Sequence, residues 1–237
     1  MATERNTVVY QRSDAALYDA GLRAYMLRVY NYMAGGLAIT GAVAFGVANT
    51  PALYNAIFGT PLAWVVILAP LVMVFVLSAR VHRMSPGTAQ LCFWVFSGLM
   101  GASLASIFLQ YTGESIARVF FITAGAFGAL SLYGYTTKKS LAGWGSFLLI
   151  GLFGIIIAMI VNIFLGSESL QFAISVIGVL IFAGLTAYDT QRIKEIYDEG
   201  AGADHNARSA IMGALTLYLD FINLFLFLLR FMGNQRS

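Results

Sequence analysis

Charge is what this chain has least of: 11% of its 237 residues are charged, 59% are apolar, and its mean hydropathy is +0.78. A soluble domain carries about a quarter charged residues, so that class is excluded. With Cys92 as its one cysteine, the chain has no internal disulfide, and its place in an apolar run gives it a packing role rather than that of a thiolate nucleophile. His82 and His205 fall in separate polar connections, with no cysteine or carboxylate at ligand spacing, so neither is assigned a metal. No phosphate loop, cofactor box or nucleophile motif appears. The 14 basic residues give a net charge of +3 but form no aromatic-interleaved patch, so no nucleic-acid partner is expected. Residues 1 to 27 mix both charge signs and lack an apolar region followed by a cleavage site, and they read as a retained cytosolic tail rather than a signal peptide.

Apolar sequence fills the rest. Windows of spanning length fall at roughly 29 to 48, 61 to 79, 89 to 110, 116 to 136, 145 to 165, 170 to 189 and 209 to 231, each near the about 20 residues that a bilayer needs. Alternating ten-residue segments are absent, which excludes a barrel. The expected fold is an all-α integral membrane protein, a seven-transmembrane-helix bundle over 28–233 between the tail 1–27 and a short end 234–237, with no separate catalytic domain. Eleven of the 14 basic residues (Arg5, Arg12, Arg23, Arg28, Arg80, Arg83, Lys138, Lys139, Arg192, Lys194 and Arg208) fall on one side, which places the amino terminus inside and the carboxyl terminus outside. Ser97, Gly101 and Ala105 on the third helix, and Ala42 and Gly46 on the first, have the four-residue spacing of close helix approach. No internal repeat supports an inverted-repeat transporter.

Against this background one carboxylate stands out. Asp220 lies inside IMGALTLYLDFINLFLFLLRFM (211 to 232), where an unpaired charge costs several kcal/mol. Gly213, Thr216, Asp220 and Asn223 form one small and polar stripe that should face protein or water rather than lipid. A second acid, Asp189 in TAYDTQ (186 to 191), closes the sixth helix on the cytosolic side, and Arg80 and Arg83 flank the same end of the second helix. Entry near Ser209 puts Asp220 about 16 Å deep, while Asp189 sits near the surface. A direct pair therefore needs a seventh helix that begins outside the bilayer, shielded and central, or a tilted sixth.

Two carboxylates in contact share a proton and make a pH sensor. An arginine beside them favours ionisation, and loss of that contact on protonation couples protonation to opening. When ionised, the pair with Thr216, Asn223 and water suits a weak, transient Ca2+ site, too incomplete for storage. No resident cofactor is expected, Ca2+ and H+ being the transported or regulating ions. Taken singly, Asp220 also reads as a structural hydrogen-bond partner, Asp189 as a solvated interfacial acid, and Arg80 and Arg83 as snorkelling topology determinants.

TAYDTQ, GALTLYLDFINLFLFLLRFMG (213 to 233) and SLYGYTTKKSL (131 to 141) together resemble the Bax inhibitor family of seven-span proteins over residues 20 to 233, most specifically in LYLDFINLF. The short tails and inside-positive connections look like those of a bacterial member in the inner membrane. The resemblance implies a bundle with the seventh helix at its centre, Asp189 and Asp220 as the sensor pair, and a proton-regulated calcium leak. It also implies an arginine latch within RVHRMSPG (80 to 87), where Arg83 fits the spacing better than Arg80. Some bacterial relatives are associated instead with inhibition of a membrane-bound quality-control protease, a partner-binding role that needs no ion pathway. An aspartyl protease is disfavoured, because Leu217, Tyr218 and Leu219 precede Asp220 where Gly-x-Gly would let a substrate strand approach. The chain is not expected to be an enzyme.

Overall fold

Helices account for nearly the whole chain. A computed structural model describes the backbone of residues 2–236 and the side chains of residues 18–236. Arg5 and Arg12, counted toward the inside charge, have side chains outside the described residues. In order the elements are α1 (Ala2–Ala48), α2 (Pro51–Phe58), α3 (Leu62–Arg80) running into a 3₁₀ turn (Val81–Arg83), α4 (Pro86–Leu104), α5 (Ile107–Gln110), α6 (Gly113–Thr136), α7 (Ala142–Leu165), α8 (Glu168–Ile196), a 3₁₀ turn (Glu199–Ala201) and α9 (Ala203–Met232). Among the described residues, seven stretches are long and apolar enough to span a bilayer, as the windows predict.

The helix boundaries follow local chemistry. Ser85, Thr112 and Ser167 cap α4, α6 and α8 by accepting from the backbone N–H of Thr88, Ser115 and Leu170. Gly166 at φ 60° ends α7 in the left-handed conformation that a side chain disfavours. No strand forms among the described residues. The carboxyl-terminal segment instead bridges to the start of α6, with Thr112 N–H donating to Asn234 O at 3.2 Å and Asn234 N–H to Ser115 Oγ at 2.9 Å.

Burial sorts the helices into layers. In α9, 67% of the most apolar stretch is buried, against 11% in α3 and in α7, whose Trp64 and Ile150 point outward at 71% and 72% exposure. α9 packs against α1, α4, α6 and α8. Lipid is as apolar as leucine, so association rests on close packing and hydrogen bonds rather than on the hydrophobic effect. Gly101 lies against the backbone of Thr40, and Gly134 against that of Ala187, both too close for a Cβ. Ser97 and Ala105 are fully buried, as the spacing on the third span predicts. Ala42 and Gly46 are not in that seam: both are exposed. The face of α1 that packs inward carries Met33, Gly36, Thr40, Ala44 and Val47, and two residues from Thr40 or Ala44 is about 200° around the helix. A four-residue spacing marks a face without saying which one is turned inward. Cys92 packs against the main core cluster.

Buried polar groups tie the layers. Tyr30 Oη meets Ser131 Oγ at 2.7 Å, and Ser131 Oγ meets Thr190 Oγ1 at 2.9 Å, joining α1, α6 and α8. Gln191 accepts from Leu141 N–H at 2.7 Å and donates to Lys139 O at 3.0 Å, so α8 holds the α6–α7 connection.

Candidate functional site

α8 does not end at Asp189. It continues to Ile196, with Gln191, Arg192, Lys194 and Glu195 in its last two turns. These residues form helix readily, and Lys194 donates to Tyr135 O at 2.9 Å, so helicity outlasts the apolar window that marked the sixth span. That corrects the expected position of Asp189 at a helix end.

The longer α8 also settles the depth problem. Gly213 of α9 lies against Ile193 of α8, so the stretch from Ala203 to about Ser209 precedes the level at which the two antiparallel helices meet. In that register Asp189 faces Thr216 and Asp220, and the two carboxyl groups are within hydrogen-bonding reach of each other. Neither carboxylate has a donor, so a hydrogen bond between them requires one proton held by the pair. Asp220 is 5% exposed, and among the described residues its buried Oδ2 has no hydrogen-bond partner.

Two cavities meet at this pair. The larger, about 660 Å³, lies between α7, α8 and α9; Ser146 and Tyr188 line it, as do Asp189, Arg192, Thr216, Asp220, Asn223 and Arg230. From Thr216 to Arg230 that lining covers about 21 Å of α9, two thirds of a bilayer core. The smaller, about 360 Å³, lies where the end of α3 approaches α8 and the first half of α9. Asp189, Arg192 and Thr216 line both. The whole predicted stripe faces them: Gly213 and Thr216 the smaller, Thr216, Asp220 and Asn223 the larger. Thr216 donates to Met212 O at 3.1 Å, which turns its hydroxyl proton back to its own helix and leaves its oxygen free to accept; Asn223 donates one of its two amide protons to Leu219 O at 2.8 Å and keeps its carbonyl oxygen as a further ligand. Those oxygens and the carboxylates are the available cation ligands. Among the described residues no group of three or more His, Cys, Asp or Glu side chains comes together.

The candidate latch arginines are not brought to the pair. Arg80 and Arg83 are both exposed and line neither cavity. The 3₁₀ turn buries Val81 at 2% exposure and presents Val81 and His82, beside Ser78 of α3, to the smaller cavity, leaving the guanidiniums outside. The guanidinium whose charge acts on Asp189 is Arg192, one turn later on the same helix. Sequence reasoning missed it by ending the helix at Asp189; its i, i+3 spacing is the signal that would have found it. His82 and His205, far apart in sequence, line the smaller cavity together.

Residues 22–237 match the family described as Inhibitor of apoptosis-promoting Bax1. The chain belongs to the Bax inhibitor family. The matched stretch contains every residue of the site, and family membership agrees with the resemblance carried by LYLDFINLF. Among relatives in this family, the Inner membrane protein YbhL of Escherichia coli strain K12 is 48% identical over 231 residues, covering 96% of this chain and 99% of that one. An uncharacterised protein of Caulobacter vibrioides is 50% identical over 236 residues, covering 95% and 94%. One from Rickettsia prowazekii is 49% identical over 220 residues, covering 93% of each.

Proposed function

We propose that this Bax inhibitor family protein is a passive calcium leak of a bacterial inner membrane, gated by protons at Asp189 and Asp220, with its amino terminus in the cytosol. The observation that carries the reading is the contact between the two carboxyl groups at the level where the two cavities share their lining. Gain or loss of one proton there changes the charge beside Arg192 by a full unit, in a setting where water screens it poorly. Calcium takes six to eight oxygens, and the pair with Thr216 and Asn223 supplies only part of that number, so water completes a site weak enough to release the ion. The role is that of a conduit and not of an enzyme. Membrane placement is supported by the Escherichia coli relative, an inner membrane protein by name, and orientation by the side on which most basic residues fall.

The test is calcium entry into dye-loaded proteoliposomes across about pH 5.5 to 8, the range in which proton switches operate, using the parent, Asp189→Asn and Asp220→Asn proteins at matched density. A flux that varies with pH in the parent and is flattened in both variants supports the reading. No flux above empty vesicles overturns it in favour of a partner-binding role toward a membrane-bound protease. A variant profile identical to that of the parent removes the sensor assignment.

A further inference from the structure

We propose that the smaller cavity is a binding site for a phosphate-type anion, gripped by Arg192 and Arg208 with His82 and His205. Three elements bring these groups together: the 3₁₀ turn after α3 supplies His82, α8 supplies Arg192, and the first turns of α9 supply His205 and Arg208. Their sequence positions give no hint of this grouping. Two guanidiniums and two imidazoles face one volume of about 360 Å³.

Among the described residues, the Nε of Arg208 is buried without a hydrogen-bond partner. A buried donor left unmade is costly, and such a group in a native cavity points to something that completes it. A guanidinium offers a planar fork matched to two oxygens of a phosphate, and imidazole N–H groups add single donors. Ser78 and Ser209 line the same cavity and carry hydroxyls able to donate. One acid lines the cavity, Asp189, and it is engaged by Asp220 and by the charge of Arg192. The balance of charge thus favours an anion over a cation here. The volume admits a phosphate group and excludes a folded partner.

Ile193, Ile196 and Met212 form the apolar part of the wall at the end of the bundle. That lining accommodates the phosphate of a lipid headgroup as well as a free phosphate, and the recognition chemistry is common to both. The site shares Arg192 with the proposed gate, but its test is separate from the leak reading, because occupancy is measured without any flux.

The experiment uses the full chain in a zwitterionic detergent. Sodium phosphate is titrated calorimetrically against sodium chloride at equal ionic strength, and the same protein is assayed by native mass spectrometry after equilibration with phosphatidylglycerol or with phosphatidylcholine. Saturable binding of one phosphate group per chain is expected, weakened at least about tenfold by Arg192→Gln or Arg208→Gln and unchanged by Lys138→Gln, an exposed charge outside the cavity. Arg208→Lys, which keeps the charge and loses the fork, should weaken binding while unfolding at the parent's temperature, and so guards against a folding artefact. Retention of phosphatidylglycerol without binding of inorganic phosphate identifies a lipid headgroup as the occupant; binding of inorganic phosphate without retained lipid identifies a free anion. Absence of both, or an equal loss in Lys138→Gln and Arg208→Gln, overturns the proposal.

Discussion

Tyr218 and Asp220 stand two residues apart on α9 and face opposite sides of it. Tyr218 is fully buried; its hydroxyl meets Thr40 Oγ1 at 2.6 Å, Thr40 donates to Ser97 O at 2.9 Å, and its ring packs edge-on against Phe93 and Phe96. The hydroxyls of Tyr218, Thr40 and Ser97 on that side each have a partner. On the other side Asp220 is also buried, but among the described residues one of its oxygens has no partner, and it faces a cavity of about 660 Å³. A closed hydrogen-bond network rigidifies a bundle, whereas a half-satisfied buried carboxylate weakens it and persists where it acts on something else. One helix therefore carries its structural anchor and its candidate chemistry back to back.

The comparison breaks most visibly on the closed side. Tyr218→Ala should destabilise the protein by about 3 kcal/mol or more, because it opens a large void among Phe93, Phe96 and Thr40; unfolding in mixed micelles measures this, and a change below about 1 kcal/mol would show that the network does not anchor α9. Next is Gly134→Ala, where the new Cβ meets the backbone of Ala187 and neither helix can yield cheaply. A loss of about 2 kcal/mol is expected by the same assay. The same variant should also alter the pH profile of flux, since it pushes on α8 two residues from Asp189.

A gentler pair sharpens the contrast. Tyr218→Phe removes one hydrogen bond while the ring stays packed, so stability should fall by about 0.6 to 1 kcal/mol and the pH profile should stay as in the parent. Asp220→Asn should change stability least, within about 0.5 kcal/mol of the parent or slightly upward, because the amide donates to Asp189 in place of the shared proton. Its effect should appear in the flattened pH dependence. If Asp220→Asn unfolded the protein as readily as Tyr218→Ala, Asp220 would be an anchor and the division of α9 into two sides would fail.

The seven spans were legible because apolar content over about 20 residues is a local property of the chain. Asp220 was legible for the related reason that a carboxylate in such a run carries a cost demanding an explanation. The stripe of Gly213, Thr216, Asp220 and Asn223 followed from helical period alone, and all four face the cavities. The end of α8 was not legible from hydropathy: a helix that leaves the membrane keeps its backbone bonds while losing its apolar character. That displacement hid Arg192 and drew attention to Arg80 and Arg83, which a single 3₁₀ turn leaves on the outside. Ala42 and Gly46 failed for another reason, since small residues recur on the lipid side of α1 as well as on its packed side.

By itself the sequence determined that this chain crosses a membrane seven times, with an acid at depth in its last span, because insertion depends on residues within one helix. Only the tertiary structure decided that Asp189 reaches Asp220, that Arg192 stands beside them, and that His82 and His205 share a cavity with Arg208. Those outcomes depend on the rotation of each helix about its axis and on the antiparallel register of α8 with α9. Both are set by packing summed over several helices at once, at positions such as Gly213 against Ile193, and no window along the chain contains that sum.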